Sequence, residues 1–366
     1  MKPNLLLAAF AYAISQVALQ PKTQAQAINV QTASPYKYKV AQRLQFLGGF
    51  YRFVPSISPQ GTVAGTFSNL GKTREAGIYF QNRYTRIGTG WAVAISDYDV
   101  VAGEISVPGK DGIPRFQAAL FSKGRVTEVA NAGGYNESIV GGINDAGDVV
   151  GNFNYYDSTG NGKGTLGFLY QNGQLTLLNN PIPNQKESSA FAINNSGLIV
   201  GGAVFPNGNI HPAIYSGGQW HDIGVIGRPG AFGGATSVNN QGWVTGFFEY
   251  SGNERNGCFL YKDGKMVDLH LPNASPQTPL VGNINDDGQI VATAPETKEN
   301  GYGQAAYVYD QGQWKQIDTL LDPNQHWSIV TAYQISNTGA IVAQGIQTSS
   351  NGRESYNGTV LIEPLD

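Results

Sequence analysis

The chain has 366 residues, with 48 Gly, 23 Lys plus Arg against 26 Asp plus Glu, four His and a single Cys. One cysteine excludes an intrachain disulfide, and neither a Cys-x-x-Cys pair nor a dense His cluster offers a structural metal site, so the fold must stand on its core. A formal charge of −3 leaves no basic footprint for nucleic acid or anionic lipid.

Charged residues make up 13% of the chain and apolar ones 41%, against a usual charged share of about 25%. A glycine-rich, charge-poor and aromatic chain with this much apolar content reads as an all-β protein with many turns, not as a disordered one. The first 27 residues read as a secretory leader. Met1-Lys2-Pro3-Asn4 is a weakly positive start, Leu5 to Ala18 is an apolar run interrupted by Ser15 and Gln16, and Ala25-Gln26-Ala27 is a cleavage signal before Ile28. The run is too short and interrupted for a membrane span, so the expectation is an exported protein, periplasmic or extracellular, with no membrane span in the mature chain. Residues 28–36 read as a short linker.

From residue 37 onward one unit recurs seven times. Its anchor is an apolar residue, Asn or Ser, two polar positions, Gly and then a Val-rich run. It reads Ile57-Ser58-Pro59-Gln60-Gly61, Ile95-Ser96-Asp97-Tyr98-Asp99, Ile143-Asn144-Asp145-Ala146-Gly147 and Ile193-Asn194-Asn195-Ser196-Gly197. It continues as Val238-Asn239-Asn240-Gln241-Gly242, Ile284-Asn285-Asp286-Asp287-Gly288 and Ile335-Ser336-Asn337-Thr338-Gly339. The spacings, 38 to 51 residues, are those of propellers or solenoids.

Within a unit, strand a ends at the anchor and Asn-x-x-Gly turns the chain into strand b. Strand c is an aromatic–aliphatic run such as Gly167-Phe168-Leu169-Tyr170, and a second tight turn, Asn172-Gly173 or Asp263-Gly264, leads to strand d. Four antiparallel strands make one propeller blade. The seventh unit stops after its strand c, Gly358 to Ile362, while Tyr38 to Leu44 ahead of the first anchor alternates like a strand d. Pairing the two predicts a seven-bladed ring closed by the N-terminal strand, in a single domain spanning residues 37–366, with no open edge at the join.

This unit resembles the HAF repeat of extracellular bacterial proteins. The marks are Ile143-Asn144 to Gly151, His211-Pro212-Ala213-Ile214-Tyr215, Asp222-Ile223-Gly224 and the Gly-Gly pairs Gly48-Gly49, Gly133-Gly134 and Gly233-Gly234. The departures are the near loss of the His, Asp99 for the turn glycine, and Ala292 and Ala343 for the glycine ending the Val-Val-Gly run. The resemblance implies an exported propeller of mostly undefined activity.

Propeller geometry puts the a–b and c–d turns on one face and the longer b–c and d–a loops on the other. The longer loops, with their aromatics, are the expected binding face. Tyr51, Trp91, Tyr135, Phe232 and Trp327 stand there as ligand-binding candidates, suited to glycans or protein surfaces; the plainer reading packs these rings under loops or between blades. The expected function is an exported, non-catalytic, monomeric binding or interaction module that needs no cofactor. The alternative is a propeller glycoside hydrolase or lyase using Glu137 and Glu187, which stand six residues before the anchor Ile in consecutive repeats. The plainer reading makes both solvated loop carboxylates, the commonest setting for Glu. Asp157, Thr159 and Asn161 occupy positions 1, 3 and 5 of a calcium-loop spacing, but Phe168 stands where the bidentate Glu is required. Lone His221, His270 and His326 have no partner spacing, and Cys258 falls in a strand c slot that favours burial.

Overall fold

The computed structural model describes residues 37–44 and 55–365, apart from 70–72, 82, 132, 134–135, 181, 183–186, 228–229, 250–255, 274–279, 299–300 and 350–351. The predicted leader and linker lie outside the described residues. Within residues 37–366 the strands form seven separate four-stranded antiparallel sheets. The propeller expected from the repeats is the fold observed.

Blade 1 is Ser56–Ile57, Val63–Asn69, Thr73–Phe80 and Arg83–Thr89. Blade 2 is Trp91–Ile95, Val101–Pro108, Pro114–Ser122 and Arg125–Ala130, and blade 3 is Glu137–Ile143, Val149–Tyr156, Gly162–Gln171 and Gln174–Leu178. Blade 4 is Ser188–Ile193, Ile199–Val204, Ile210–Ser216 and Gln219–Asp222, and blade 5 is Phe232–Val238, Val244–Glu249, Asn256–Lys262 and Lys265–Asp268. Blade 6 is Leu280–Ile284, Ile290–Lys298, Gly301–Asp310 and Gln313–Gln316. Blade 7 takes Trp327–Ile335, Ile341–Thr348 and Glu354–Pro364 from the C-terminal end and Tyr38–Leu44 from the N-terminal side. The register of that closure sets Val40 opposite Ile362 and Leu44 opposite Thr359. As in the other blades, the d strand is the outer edge.

The sequence explains the hairpins locally. In the c–d turns both central residues take positive φ, as at Asn172 and Gly173 (52° and 77°) or Asp263 and Gly264 (53° and 75°). That is the type I′ geometry whose twist matches the flanking strands. Asp99 takes φ of 58° in place of the a–b turn glycine, a conformation that Asp tolerates better than most residues. The second repeat therefore keeps the turn despite its departure from the pattern.

Each joint between blades has its own core. Seven apolar clusters each bridge two consecutive sheets, for example Val150 and Leu178 with Ala190, Ile199 and Trp220 between blades 3 and 4. Leu44 and Val342 with Ile57 and Val63 form the one between blades 7 and 1. Strand c contributes the large members: Phe121, Phe168 and Phe259 are completely buried. Burying a Phe side chain contributes about 1.5–3 kcal/mol; because the strand ladders run within each blade, these apolar clusters join one blade to the next.

The inner strands carry a bulge. Register shifts fall at Ala92/Ala94, Val140/Gly142, Ala190/Ala192 and Ala235/Ser237 in blades 2 to 5. Strand b glycine makes this possible: a Cβ on Gly201 would lie 1.8 Å from the Ser189 carbonyl oxygen, and one on Gly151 would lie 2.1 Å from that of Ile139. Blades 6 and 7, where Ala292 and Ala343 replace this glycine, have different irregularities, spanning Val281/Ile284 in one and doubled at Ile329/Thr331 and Ala332/Gln334 in the other. The close approach and the bulge therefore change together.

Candidate functional site

The bulges set what faces the centre. Of the residues skipped in the ladders, Gly141, Phe191, Thr236, Gly282 with Asn283, and Tyr333 line a central cavity of about 320 Å³ bordered by all seven blades, whereas Val93 and Val330 do not. Phe191 and Tyr333 are its two aromatic members, both half-buried. Glycine backbone, Thr236, Ser237 and Asn283 supply much of the remaining wall. The inner strands contribute no charged side chain to this wall; Asp145 and Asp286 join it from the a–b turns.

The cavity reaches the face of the a–b turns, where two sets of residues tie the blades together. The inner set is the repeat's Asn. Asn144, Asn194, Asn239 and Asn285 are buried, and each side-chain carbonyl accepts an N–H of its own turn, from Asp148, Leu198, Trp243 and Gln289. Each Nδ2 donates to a main-chain carbonyl of the next blade, at 3.3, 2.9, 3.0 and 3.0 Å. Blades 1, 2 and 7 carry Ser58, Ser96 and Ser336 instead, whose hydroxyls accept from N–H groups of their own turns.

The outer set is the residue after the Asn or Ser. The main-chain N–H of Asp97 donates to Asp145 Oδ1 (2.8 Å), that of Asp145 to Asn195 (3.0 Å) and that of Asn195 to Asn240 (3.0 Å). The series continues from Asn240 to Asp286 (2.8 Å) and from Asp286 to Asn337 (2.9 Å). Pro59 has no N–H and no polar side chain, so the Gln60 N–H donates to Asp97 (2.9 Å) and the Asn337 N–H donates to the Pro59 carbonyl (3.0 Å). The belt is closed, with at least one hydrogen bond at each of the seven joints. Burial foremost, with the Asp145 charge adding to it, holds the Asp97 carboxyl above the usual carboxylate range, against the lowering effect of the Gln60 N–H.

The candidates named from sequence have other surroundings. Trp91 is half-buried with its ring edge-on to Phe116 at 5.0 Å between centres. Trp327 is edge-on to Tyr356 at 5.8 Å, beneath the Arg43 guanidinium. Phe232 is exposed, and Tyr51 and Tyr135 lie outside the described residues. Glu137 accepts from the Phe116 N–H and the Tyr156 hydroxyl, both at 3.4 Å. Glu187 is exposed, and its carbonyl accepts from Asn180 and Val204. Neither glutamate lines the central cavity.

At the calcium-like loop, Asp157 accepts from Thr159 and Asn161 and pairs with Lys163 at 3.0 Å. These donors, the Thr159 hydroxyl first, hold its carboxyl far below the usual range. His211 donates or accepts at both ring nitrogens, Nδ1 to Asp222 Oδ2 at 2.7 Å and Nε2 facing the Asn207 amide at 3.2 Å. It thereby joins the His and Asp marks of one repeat across strands c and d. Burial pushes the Cys258 thiol up to about 12. Sequence reasoning missed the belt and the bulge residues. The recurring polar residue after Asn was their visible signal, read only as part of a turn.

No family model matches the chain, and no curated protein matches it. Solved structures do. A prolyl endopeptidase superimposes with a TM-score of 0.51 at 10% identity, over 81% of this chain and 46% of that one. Prolyl oligopeptidase B from Galerina marginata, bound to a 25-residue macrocyclization substrate, gives 0.50 at 12% identity, over 80% and 46%. An acylaminoacyl peptidase from Pyrococcus horikoshii gives 0.47 at 13%, over 81% and 50%. The chain thus spans about half the length of the peptidases it matches, and at these identities the shared feature is the propeller fold. The prolyl peptidase matches overturn the expectation of a non-catalytic glycan- or protein-binding module and its glycoside hydrolase or lyase alternative. The matching propellers belong to peptidases, and the carboxylates on which the alternative depended lie away from the cavity.

Proposed function

We propose that the chain acts in peptidase-type function, as the propeller that takes polypeptide into its central channel and delivers it to a catalytic unit. The observation that carries this reading is the cavity itself, which falls within the size range of ligand clefts, about 300–1,000 Å³. Its wall offers what an extended peptide needs: main-chain groups exposed at the glycines and two aromatic surfaces, Phe191 and Tyr333, for side chains. The two prolyl peptidases in the comparison carry a propeller of this kind within chains about twice as long. Acyl transfer requires a nucleophile within reach of a base. The His211 ring is held between Asp222 and Asn207, so the proposal assigns the nucleophile to the catalytic unit. The leader-like first 27 residues favour an exported setting for this activity.

The test is fluorescence anisotropy of a labelled, unstructured decapeptide with the chain and with Thr236→Trp, which fills the channel from its wall. Saturable binding that the bulky variant abolishes is the expected result. Unimpaired binding in Thr236→Trp, or binding of glycans in place of peptides, would overturn the reading.

A further inference from the structure

The charge distribution of the channel narrows its ligand. Among the residues lining the cavity, Asp145 and Asp286 are the ionisable groups of one sign, and no Lys, Arg or His stands with them. They belong to blades 3 and 6, three steps apart in a ring of seven, so they face the mouth from nearly opposite sides.

Both carboxylates are held by neutral donors. Asp145 accepts from the Asp97 N–H and the Asn195 amide, at 2.8 and 2.6 Å. Asp286 accepts from the Asn240 N–H and from the amides of Asn240 and Asn337, at 2.8, 2.9 and 2.7 Å. No ion pair among the described residues involves either one. Neutral donors fix the position of a carboxylate without cancelling its charge, and the concave cavity wall beside them carries no cation to offset it.

We infer that the channel mouth selects polypeptide segments carrying positive charge, a free N-terminal ammonium or Lys and Arg side chains, and disfavours acidic ones. The inference rests on the peptide reading above and adds a substrate class to it. The cavity walls supply the peptide contacts, and the two carboxylates rank the peptides that enter. A cation passing between them meets attraction from both sides, while a glutamate meets repulsion from both.

The test uses three labelled decapeptides of equal length with central Lys-Lys, Gln-Gln or Glu-Glu, titrated at low ionic strength against the chain, Asp145→Asn, Asp286→Asn and Thr236→Lys. The expected order is Lys-Lys tightest and Glu-Glu weakest, with about tenfold between successive members. Each Asp→Asn change should remove part of the spread. Those variants lose an acceptor in the belt, so Thr236→Lys provides the independent arm: it adds a cation to the cavity wall without altering the belt, and should reverse the order. Added salt should compress the spread in the parent chain. Equal affinity for the three peptides would overturn the charge inference and leave the peptide reading standing; no binding of any peptide would overturn both.

Discussion

The guanidinium carbon of Arg43 lies 4.9 Å from the centre of the Tyr356 ring, so a residue of the N-terminal strand is seated on one from the C-terminal blade. It lies 5.6 Å from the Trp327 ring as well, and its Nη2 donates to Gln347 Oε1. Seven-blade closure thus has a side-chain latch in addition to the strand pairing. Removing it in Arg43→Ala should cost about 1 kcal/mol and lower Tm by about 2 °C, with Arg43→Lys intermediate. A thermal melt unaffected by Arg43→Ala would show that strand pairing alone closes the ring.

Asn195 makes two belt contacts, accepting from the Asp145 N–H and donating to Asp145 Oδ2. Asn195→Ala removes both and leaves the Asn240 link in place. The expected loss is about 1–2 kcal/mol, read from urea unfolding as a lower midpoint with an unchanged slope.

Gly201→Ala tests the bulge. The added Cβ would meet the Ser189 carbonyl oxygen at 1.8 Å and cannot be relieved by a flexible side chain. The expected cost is about 2–4 kcal/mol. The reverse change in blade 6, Ala292→Gly, faces no such contact and should cost about 1 kcal/mol or less. Equal effects in calorimetry would separate the bulge from the glycine.

Asp97 predicts a pH effect. Its folded-state pKa is raised, so the folded chain holds that proton more tightly than the unfolded one. Its contribution to stability therefore declines as pH rises through the window above the unfolded value of about 3.9. Asp97→Asn keeps a side-chain oxygen for the Gln60 N–H and should flatten this decline. Unfolding midpoints of parent and variant measured between pH 3 and pH 7 would check it; parallel curves would refute it.

Cys258 is completely buried, with its thiol raised to about 12 by that burial. A thiol reagent should label the folded chain only through opening of blade 5, at a rate that rises with urea. Rapid labelling at pH 7 without denaturant would contradict the packing described.

The architecture was legible because each blade repeats its turn chemistry: positive-φ pairs after strand c and Asn-x-x-Gly after strand a mark strand ends without reference to tertiary contacts. The role of Tyr38–Leu44 followed from a missing strand at the other terminus. The central site was harder to read. Whether Phe191 points between blades or into the channel depends on a bulge, and the bulge depends on how closely Gly201 approaches Ser189, which strand alternation does not encode. Residues such as Asp145 and Asn195 resemble ordinary turn residues until blades 45 to 51 positions apart are brought side by side. Aromatic content pointed to the opposite face, where Trp91 and Trp327 are engaged by Phe116, Tyr356 and Arg43.

Pro59 gives an otherwise repetitive circle a starting point. At the joint it shares with blade 7, the neighbour's N–H must settle for a main-chain oxygen, and Ser336 supplies none of the crosswise amide ties found from blade 3 to blade 7. The N- and C-terminal strands pair within blade 7, beside that joint. Under force applied to the two terminal strands, blade 7 should therefore open first, between Tyr38–Leu44 and Glu354–Pro364, as a bracelet parts at its clasp, leaving the arc from Asn144 to Ser336 intact.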